Sequence, residues 1–347
     1  MKIPQRILPA EWEQHHSILL SFPHNGKDWP GKFDAAKWAL IDFIKKVVRF
    51  EKVILLVKDA NHLITLKNLL DRHHVGYANI QFVFLETNRS WMRDSGPIVV
   101  KKKDGTSEAL KFKFNAWAKY ANFKKDQLVP DKISEVLKIP LTEVYHRSRP
   151  VVLEGGAIDV NGRGTLITTE ECLLDSKIQA RNKHFSKEDY QAVFKEYFGV
   201  SNVIWLHKGI VGDDTHGHVD DICRFVNQNT VVACVEPDTT DPNHLILNEN
   251  LNILNSARLE NGNSLNVIKI PMPKPVYFEG MRLPASYANF LIVNNAILFP
   301  TFNDENDKRI YLIFQTIFPG REIIGIHALD LVWGLGTLHC LSHEIPV

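Results

Sequence analysis

The sequence predicts an α/β fold in which one strand and helix module recurs around a shared centre. Short apolar runs alternate with amphipathic helical segments along the 347 residues, a pattern that is typical of α/β proteins. Loops rich in polar residues recur about every 60 residues, and they contain Asp94, Glu154, His218 and Cys340. A module repeated with this period would present each loop to one common centre.

The first part of the chain alternates between strands and helices before a polar loop. Strands are predicted at residues 17–22, 52–58 and 80–86, and helices at residues 35–50 and 60–75. The loop that follows reads WMRDSGP at residues 91–97. Because Asp-Ser-Gly-Pro is a favourable turn sequence, we expect a turn there.

The middle of the chain repeats this order. Strands are predicted at residues 98–103 and 108–117, a short helix at 131–139, a hairpin within 151–174, a helix at 186–198 and a strand at 202–207. Asn161-Gly162 is a hairpin turn signal. Ser186 and Asp189 are spaced as a capping box at the start of the 186–198 helix.

The last part of the chain contains the same order twice more. Hairpins are predicted at residues 221–236 and 287–302, helices at 242–257 and 307–318, and strands at 265–270 and 322–327. The period leaves one polar loop to be found near residue 279, where the sequence reads YFEGMRLPASY. No boundary divides the chain, so we expect a single domain over residues 1–347.

Composition excludes several classes of protein. A formal net charge of +1 gives no basic surface for nucleic acid. The N-terminal residues lack the apolar core of a signal peptide, and no apolar run is long enough to span a bilayer. We therefore expect a cytoplasmic protein with neither nucleic acid nor membrane as a partner. The four cysteines are scattered, which favours neither a disulfide framework nor a thiolate zinc site.

Residues 212–221, GDDTHGHVDD, carry four aspartates and two histidines directly after a predicted strand. Clustered carboxylates repel one another unless positive charge lies between them. One interpretation is a divalent metal held by His216, His218 and Asp220. The other is a cationic organic substrate held by the acids while a histidine transfers protons. A solvated acidic loop is the remaining alternative.

One cysteine stands apart from the others. Cys340 follows a glycine-rich turn in GTLHC, whereas Cys172, Cys223 and Cys234 lie in apolar segments that we expect to be strands. This context favours Cys340 as a nucleophile. Taken alone, Asp94 is an ordinary turn aspartate and Glu154 an ordinary loop acid. Their position on the same period as His218 and Cys340 favours a common site.

Several motifs resemble those of the agmatine deiminase and bacterial peptidylarginine deiminase family of guanidine-modifying enzymes. They are PAEWEQH, FPHNGKDWPG, WMRDSGP, FNAW, LEGGAIDVNGRGTLITTEECLL, DDTHGHVD and GTLHC, and they span nearly the whole chain. The resemblance implies the pentein fold, a five-bladed pseudosymmetric α/β propeller of ββαβ modules. It also implies that the single domain over residues 1–347 is catalytic.

The resemblance assigns roles to the motif residues. Cys340 would be the nucleophile, His218 the general acid and base, and Asp94, Glu154 and Asp220 the carboxylates around the guanidinium. Carboxylates suit this task because a guanidinium presents N–H donors in a planar fork. Hydrolysis would pass through a covalent thiouronium intermediate and would need neither a metal nor another cofactor.

The remaining part of the substrate is open to two interpretations. Trp91 would contact the substrate beside Asp94, and Asp214 is a candidate for holding the amine of agmatine. The α-carboxylate of arginine would instead need a cation, for which Lys119, Lys124 or Arg282 could serve. We expect agmatine deiminase activity, yielding N-carbamoylputrescine and ammonia for polyamine synthesis.

Alternatives remain at this stage. A peptidylarginine or free arginine deiminase would share the chemistry, and a metal-dependent amidohydrolase would belong to another class. The sequence departs from the family's usual pattern in AKYANFKKD after FNAW, within which residues 119–125 form a loop, and at His216. Both departures are predicted near the entrance of the site. We also expect a homodimer.

Overall fold

The computed structural model describes residues 5–347, which contain five sheets of three or four strands with one shared order. In each sheet two neighbouring strands are antiparallel, and a third strand that follows a helix joins them in parallel. Parallel neighbours need such a crossover connection, which the helix supplies. The predicted alternation of strands and helices is therefore confirmed, and the fold is mixed α/β.

Two sheets include the N-terminal part of the chain. The first has strands Ser342–Pro346, His15–Ser21, Lys52–Val57 and Ile80–Phe84 with helices Phe33–Val47 and Ala60–Arg72. The second has strands Arg6–Ile7, Ile98–Lys102, Ser107–Lys111 and Leu141–Glu143 with helix Val129–Leu137. The first sheet brings the C-terminal strand Ser342–Pro346 beside His15–Ser21, with which it pairs in antiparallel orientation.

The other three sheets follow in chain order. The third has strands Asp159–Val160, Thr165–Thr169 and Asn202–Leu206 with helix Lys187–Phe198. The fourth has strands Cys223–Asn227, Thr230–Val235 and Asn266–Pro271 with helix Asn243–Ser256. The fifth has strands Leu291–Val293, Ala296–Thr301 and Glu322–His327 with helix Glu305–Ile317. The capping box of Ser186 and Asp189 is confirmed, since each side chain accepts a hydrogen bond from the other residue's N–H.

Short elements connect these modules. They are the two-stranded ribbons Tyr145–His146 with Arg149–Pro150 and Tyr277–Phe278 with Met281–Arg282, the helices Met92–Ser95, Glu170–Leu174, Leu329–Val332 and Leu338–Leu341, and the 3-10 turns Ala116–Ala118, Asp126–Leu128, Gly155–Ala157 and Val219–Asp221. Most of them lie at the ends of strands. Four of them lie close together, because Met92–Ser95 contacts both Leu338–Leu341 and Gly155–Ala157, and Gly155–Ala157 contacts Val219–Asp221.

Three local predictions are wrong. Residues 91–97 contain the one-turn helix Met92–Ser95 rather than a simple turn, because the N–H of Gly96 closes onto the Met92 carbonyl at 2.9 Å. The strand predicted over residues 108–117 ends at Lys111, since beyond it Lys113 forms only an isolated bridge with Val152 and Ala116–Ala118 is a 3-10 turn.

The third error concerns the cysteines. Cys172 lies in the helix Glu170–Leu174 and not in a strand, because the Thr169 hydroxyl accepts the Cys172 N–H at 3.1 Å and starts the helix. Cys340 itself lies in the one-turn helix Leu338–Leu341, after the glycine-rich turn. Cys223 and Cys234 do lie in strands, as predicted.

Apolar side chains fill the space between each sheet and its helices, but the interior also holds buried charge. The Arg224 guanidinium is fully buried and pairs with Asp159 at 3.3 Å and with Glu11. It also donates to the Phe290 carbonyl at 2.9 Å. Within residues 5–347, no helix is long and apolar enough to cross a membrane.

Replacement of this buried arginine is expected to destabilise the fold. Arg224→Leu leaves two buried carboxylates without their cation, which costs about 3–5 kcal/mol of unfolding free energy. The control is Arg49→Leu, because Arg49 pairs with Glu322 where both side chains are 48% exposed, and such pairs contribute less than about 1 kcal/mol. Urea unfolding of both variants measures the difference, and equal losses would contradict the expectation.

Candidate active site

Loops from several modules line one pocket with a volume of about 510 Å³. Four residues predicted from the sequence line it, namely Trp91, Asp94, Asp214 and Cys340. Its lining combines aromatic side chains with charged groups, as in sites that orient a small polar ligand. Glu154, His218 and Asp220 lie deeper, since each has less than 2% of its surface exposed.

The Cys340 thiol is surrounded by polar groups. Its Sγ accepts a hydrogen bond from Asn289 Nδ2 at 3.0 Å and lies 3.8 Å from Asp220 Oδ2. Burial, followed by the negative charges of the nearby aspartates, raises the pKa of Cys340 well above its ordinary value. The thiol is therefore protonated at neutral pH.

His218 lies between two carboxylates. Its Nδ1 is 3.8 Å from Asp94 Oδ1, and its Nε2 is 3.8 Å from Glu154 Oε2. Neither ring nitrogen has a hydrogen-bond partner among residues 5–347. Burial alone would lower the pKa of His218, but the charge of Asp94 and the other nearby groups outweighs it and raises the pKa well above the ordinary value. The ring is positively charged at neutral pH.

Asp94 projects from the one-turn helix Met92–Ser95 into this centre. Its Oδ2 accepts a hydrogen bond from Trp117 Nε1 at 2.9 Å, and its Oδ1 accepts one from the Gly156 N–H at 3.2 Å. Burial raises the pKa of Asp94 to about 6. The carboxyl group is thus largely ionised at neutral pH and protonated in mild acid.

Glu154 is held by an arginine that sequence analysis missed. Arg181 Nε donates to Glu154 Oε1 at 3.1 Å, and both side chains are fully buried. Burial alone would raise the pKa of Glu154, but the charges of Arg181 and His218 hold it below the ordinary value. Arg181 lies in an irregular loop with no motif of its own, so only the fold reveals this pairing.

Asp220 and Asp221 have different environments although they are adjacent. Asp220 Oδ2 accepts a hydrogen bond from His339 Nδ1 at 2.7 Å. Burial alone would raise the pKa of Asp220, but this bond and the charges of His218 and Arg224 together hold it below its ordinary value. Burial and the charge of Asp220 instead raise the pKa of Asp221 well above its ordinary value. Asp220 is therefore the ionised member of the pair.

Asn289 is the second residue that sequence analysis missed. Its amide donates to Asp221 Oδ1 and to Cys340 Sγ, each at 3.0 Å, and accepts from the Thr337 hydroxyl at 2.7 Å. The period indicated a polar loop near residue 279, yet the residue of this module that contacts Cys340 lies further along the chain. Asn289 falls just before a strand, where a single asparagine carries no distinctive signal.

Of the groups considered for the remainder of a substrate, only Asp214 and Lys119 pair with each other. Asp214 accepts a hydrogen bond from the Tyr120 hydroxyl at 2.7 Å and pairs with Lys119 at 2.5 Å. Arg282 donates to both oxygens of Asp241 at 2.8 and 2.7 Å and does not line the pocket that the described residues form. Lys124 is exposed and is likewise absent from that described lining.

Two cations that the sequence analysis did not single out do line the pocket. They are Lys27 and Arg89. The Arg89 guanidinium pairs with Asp28 at 2.7 Å and lies over the ring of Tyr120 at 4.1 Å. The pocket wall away from Cys340 therefore carries charges of both signs.

Two groups of three side chains have their potential ligand atoms within 4.8 Å of one another in the part of the chain that the structure describes. They are Glu154 with Cys172 and His218, and Asp220 with Asp221 and Cys340. His216 belongs to neither group among these residues. Its Nε2 instead lies 3.0 Å from Asp175 Oδ2. The structure does not bring His216 and His218 together as a pair of metal ligands.

Two glycines allow the site to close around its side chains. A Cβ atom at Gly156 would lie 2.5 Å from His218 Nδ1 and 3.0 Å from Asp94 Oδ1. One at Gly336 would lie 2.9 Å from Cys340 Cβ and 2.9 Å from Trp91 Cζ3. Contacts this short are sterically forbidden, so only glycine fits at either position without movement of the neighbouring groups.

Comparison with known proteins matches the family model of Porphyromonas-type peptidyl-arginine deiminases to residues 7–346. A Latilactobacillus sakei protein named "Putative agmatine deiminase" is 34% identical, over 98% of this chain and 95% of its own. A C. jejuni agmatine deiminase, solved as a cysteine-to-serine variant with substrate bound, is 32% identical with a TM-score of 0.87. The match covers 98% of this chain and 96% of that protein. An agmatine deiminase of Enterococcus faecalis is 28% identical with a TM-score of 0.88, and the match covers 99% of this chain and 96% of that protein.

Proposed function

The chain belongs to the Porphyromonas-type peptidyl-arginine deiminase family, and from this premise we propose that it is an agmatine deiminase. It hydrolyses the guanidino C–N bond of agmatine and yields N-carbamoylputrescine and ammonia. One observation carries the proposal: a buried thiol, an imidazole between two carboxylates and a further ionised carboxylate converge at the end of one pocket. The agmatine deiminases among its relatives support the choice of substrate.

In the proposed reaction, Asp94, Glu154 and Asp220 bind the N–H groups of the guanidinium. The planar fork of donors is complementary to carboxylates on different sides, which orients the central carbon toward Cys340 Sγ. Once its proton has passed to solvent, the Sγ thiolate attacks this carbon and forms a tetrahedral adduct. His218 then protonates the departing nitrogen, and ammonia leaves a covalent thiouronium intermediate. A water molecule, deprotonated by His218, hydrolyses this intermediate and releases Cys340.

Arrival of the substrate activates the thiol in this mechanism. The negative charge of the surrounding aspartates disfavours a second anion at Cys340, as the direction of its pKa indicates. A guanidinium cation placed among these carboxylates reverses the local charge and favours the thiolate. The free protein therefore holds a poorly reactive thiol and becomes nucleophilic when a cationic substrate is bound.

We also propose the closed fold of the chain, its domain organisation, location and assembly, and two contacts with the substrate. The five modules close into a five-bladed pentein propeller, which the shared ββαβ order of the sheets supports. Residues 1–347 form one catalytic domain that works in the cytoplasm as a homodimer. Asp214 meets the amine of agmatine, with Lys119 giving way, and Trp91 packs against the substrate near the guanidinium.

The deciding experiment measures ammonia release from agmatine, free arginine and a blocked arginyl peptide, each in the presence of EDTA. We expect release chiefly from agmatine. Release chiefly from arginine or the peptide would keep the chemistry but overturn the substrate, a result that Lys27 and Arg89 in the pocket wall would explain. Activity lost in EDTA and restored by a divalent metal would favour a metal-dependent amidohydrolase.

The acid side of the pH profile is expected to report Asp94. Its carboxyl group is protonated below a pH of about 6, and a neutral carboxyl group cannot pair with a guanidinium. Thus kcat/KM for agmatine falls about tenfold per pH unit below this value. In Trp117→Phe the limb shifts to higher pH, because the hydrogen bond from Trp117 lowers the pKa of Asp94 and its loss raises that pKa. An unchanged limb in this variant would contradict the assignment.

A further inference from the structure

A second layer of charged residues lies behind the candidate active site. Asp94 and Cys340 line the front pocket, whereas their sequence neighbours Arg93 and His339 line a separate cavity of about 40 Å³. Glu11 also lines this rear cavity. Consecutive residues therefore face opposite sides of one wall, which gives the rear layer direct contact with the groups proposed to bind substrate.

The two oxygens of Asp220 have different surroundings. Oδ2 accepts a hydrogen bond from His339 Nδ1 at 2.7 Å and also lies 3.8 Å from Cys340 Sγ. Oδ1 is buried and has no hydrogen-bond partner in the described part of the chain. A buried carboxylate oxygen without a donor is costly unless a ligand supplies one. Oδ1 is thus free for a substrate N–H group because His339 occupies the other oxygen.

His339 is itself held from behind. Its Nε2 lies 2.9 Å from Glu11 Oε2. Glu11 in turn pairs with Arg224, and its Oε1 accepts the backbone N–H of Ile292 at 2.7 Å. The backbone N–H of His339 donates to Asn289 Oδ1 at 3.1 Å. Each ring nitrogen therefore lies within hydrogen-bond distance of a carboxylate oxygen. Burial, followed by the charges of Arg224 and Arg93, lowers the pKa of His339 well below its ordinary value, so the neutral ring has one proton to donate. The bond to Asp220 places this proton on Nδ1.

We propose that His339 is a positioning residue for the deiminase reaction: clamped by Glu11, it directs Asp220 so that Oδ1 receives the guanidinium while Oδ2 stays beside Cys340. His339 touches neither the substrate nor the reacting atoms and acts through Asp220. Without its Nδ1 donor, the Asp220 carboxylate turns toward other donors, and the guanidinium loses one of its three acids. This inference rests on the proposed function.

Two substitutions of His339 distinguish the roles of its two ring nitrogens. The amide nitrogen of asparagine occupies the place of Nδ1, and that of glutamine occupies the place of Nε2. His339→Asn therefore keeps the donor to Asp220, whereas His339→Gln keeps only the contact with Glu11. We expect His339→Asn to retain kcat/KM within about tenfold. His339→Gln is expected to lose at least about 100-fold, with a higher KM and a lower kcat, since small misplacements of catalytic groups have effects of this size.

A control and a second measurement accompany these variants. His15→Gln replaces another buried histidine of the rear cavity that lies beside a carboxylate, Glu51 at 3.4 Å, and it is expected to leave kcat/KM nearly unchanged. Nitrogen-15 NMR of histidine-labelled wild-type protein should show a slowly exchanging Nδ1 proton on His339. The His339→Asn spectrum identifies this signal by its loss.

The outcomes are distinct. The proposal is overturned if folded His339→Gln is as active as His339→Asn, if both lose activity equally, or if the Nδ1 proton is missing. Circular dichroism and urea midpoints establish folding in each variant. If the wild-type protein turns over none of the three guanidines, the proposed function fails. The NMR signal then still decides whether His339 donates to Asp220, because it needs no substrate.

Discussion

Replacing Cys340 by alanine is expected to abolish ammonia release from agmatine, with kcat reduced at least about 10⁴-fold. Alanine lacks the sulfur that bonds to the guanidinium carbon, and no other cysteine lines the pocket formed by residues 5–347. The carboxylates remain, so agmatine should still bind to this variant. Calorimetry of binding and an ammonia assay together separate loss of chemistry from loss of affinity.

Cys223→Ala is the matched control for this prediction. Cys223 is fully buried at the start of a strand, and like Cys340 it has its pKa raised chiefly by burial. Its replacement should leave kcat within about twofold, because a core cysteine acts as a small apolar side chain. Mass spectrometry of the wild-type protein quenched during turnover should show an adduct on Cys340 alone. Activity that persists in Cys340→Ala would disprove the nucleophile assignment.

Gly156→Ala is expected to lower kcat/KM about 100-fold or more without unfolding the protein. Its Cβ atom would lie 2.5 Å from His218 Nδ1 and 3.0 Å from Asp94 Oδ1, so the imidazole or the carboxylate must move. A displacement of about 1 Å at a catalytic group has an effect of this size. Steady-state kinetics with agmatine measure the loss.

Gly76→Ala provides the control for the Gly156 variant. A Cβ atom at Gly76 would meet no atom within 4 Å in the described residues. This variant should keep wild-type kinetics, and circular dichroism should show that both variants are folded in the absence of urea. If Gly156→Ala were as active as Gly76→Ala, the imidazole could not occupy the position that the mechanism needs.

The site residues were predictable to the extent that they carry a local pattern. Asp94, Glu154, His218 and Cys340 stand in short motifs on a regular period, and the pocket and the layer beneath it bring them together. Asp214 lines the same pocket, but its pairing with Lys119 depends on a contact across the fold. Their catalytic roles stay predictions until the variants are measured.

The supporting residues could not be predicted in this way. Arg181 and Asn289 reach Glu154 and Cys340 from loops that carry no motif. His339 stands in the recognisable motif GTLHC, but its two side-chain partners cannot be predicted from the sequence. Glu11 lies 328 positions away in the chain and Asp220 lies 119 away. Hydrogen bonds over such separations depend on how the modules pack, which no short segment of sequence encodes.

The sequence by itself determined the alternation of strands and helices, the repeated polar loops and the residues suited to guanidinium chemistry. These features depend on local hydrophobic periodicity and on side-chain type, which are readable without coordinates. Only the tertiary structure decided which oxygen of Asp220 is free, which cations are already paired and where Gly156 leaves room for His218. Those properties arise from close packing between distant segments, where shifts of less than 1 Å change which groups are in contact.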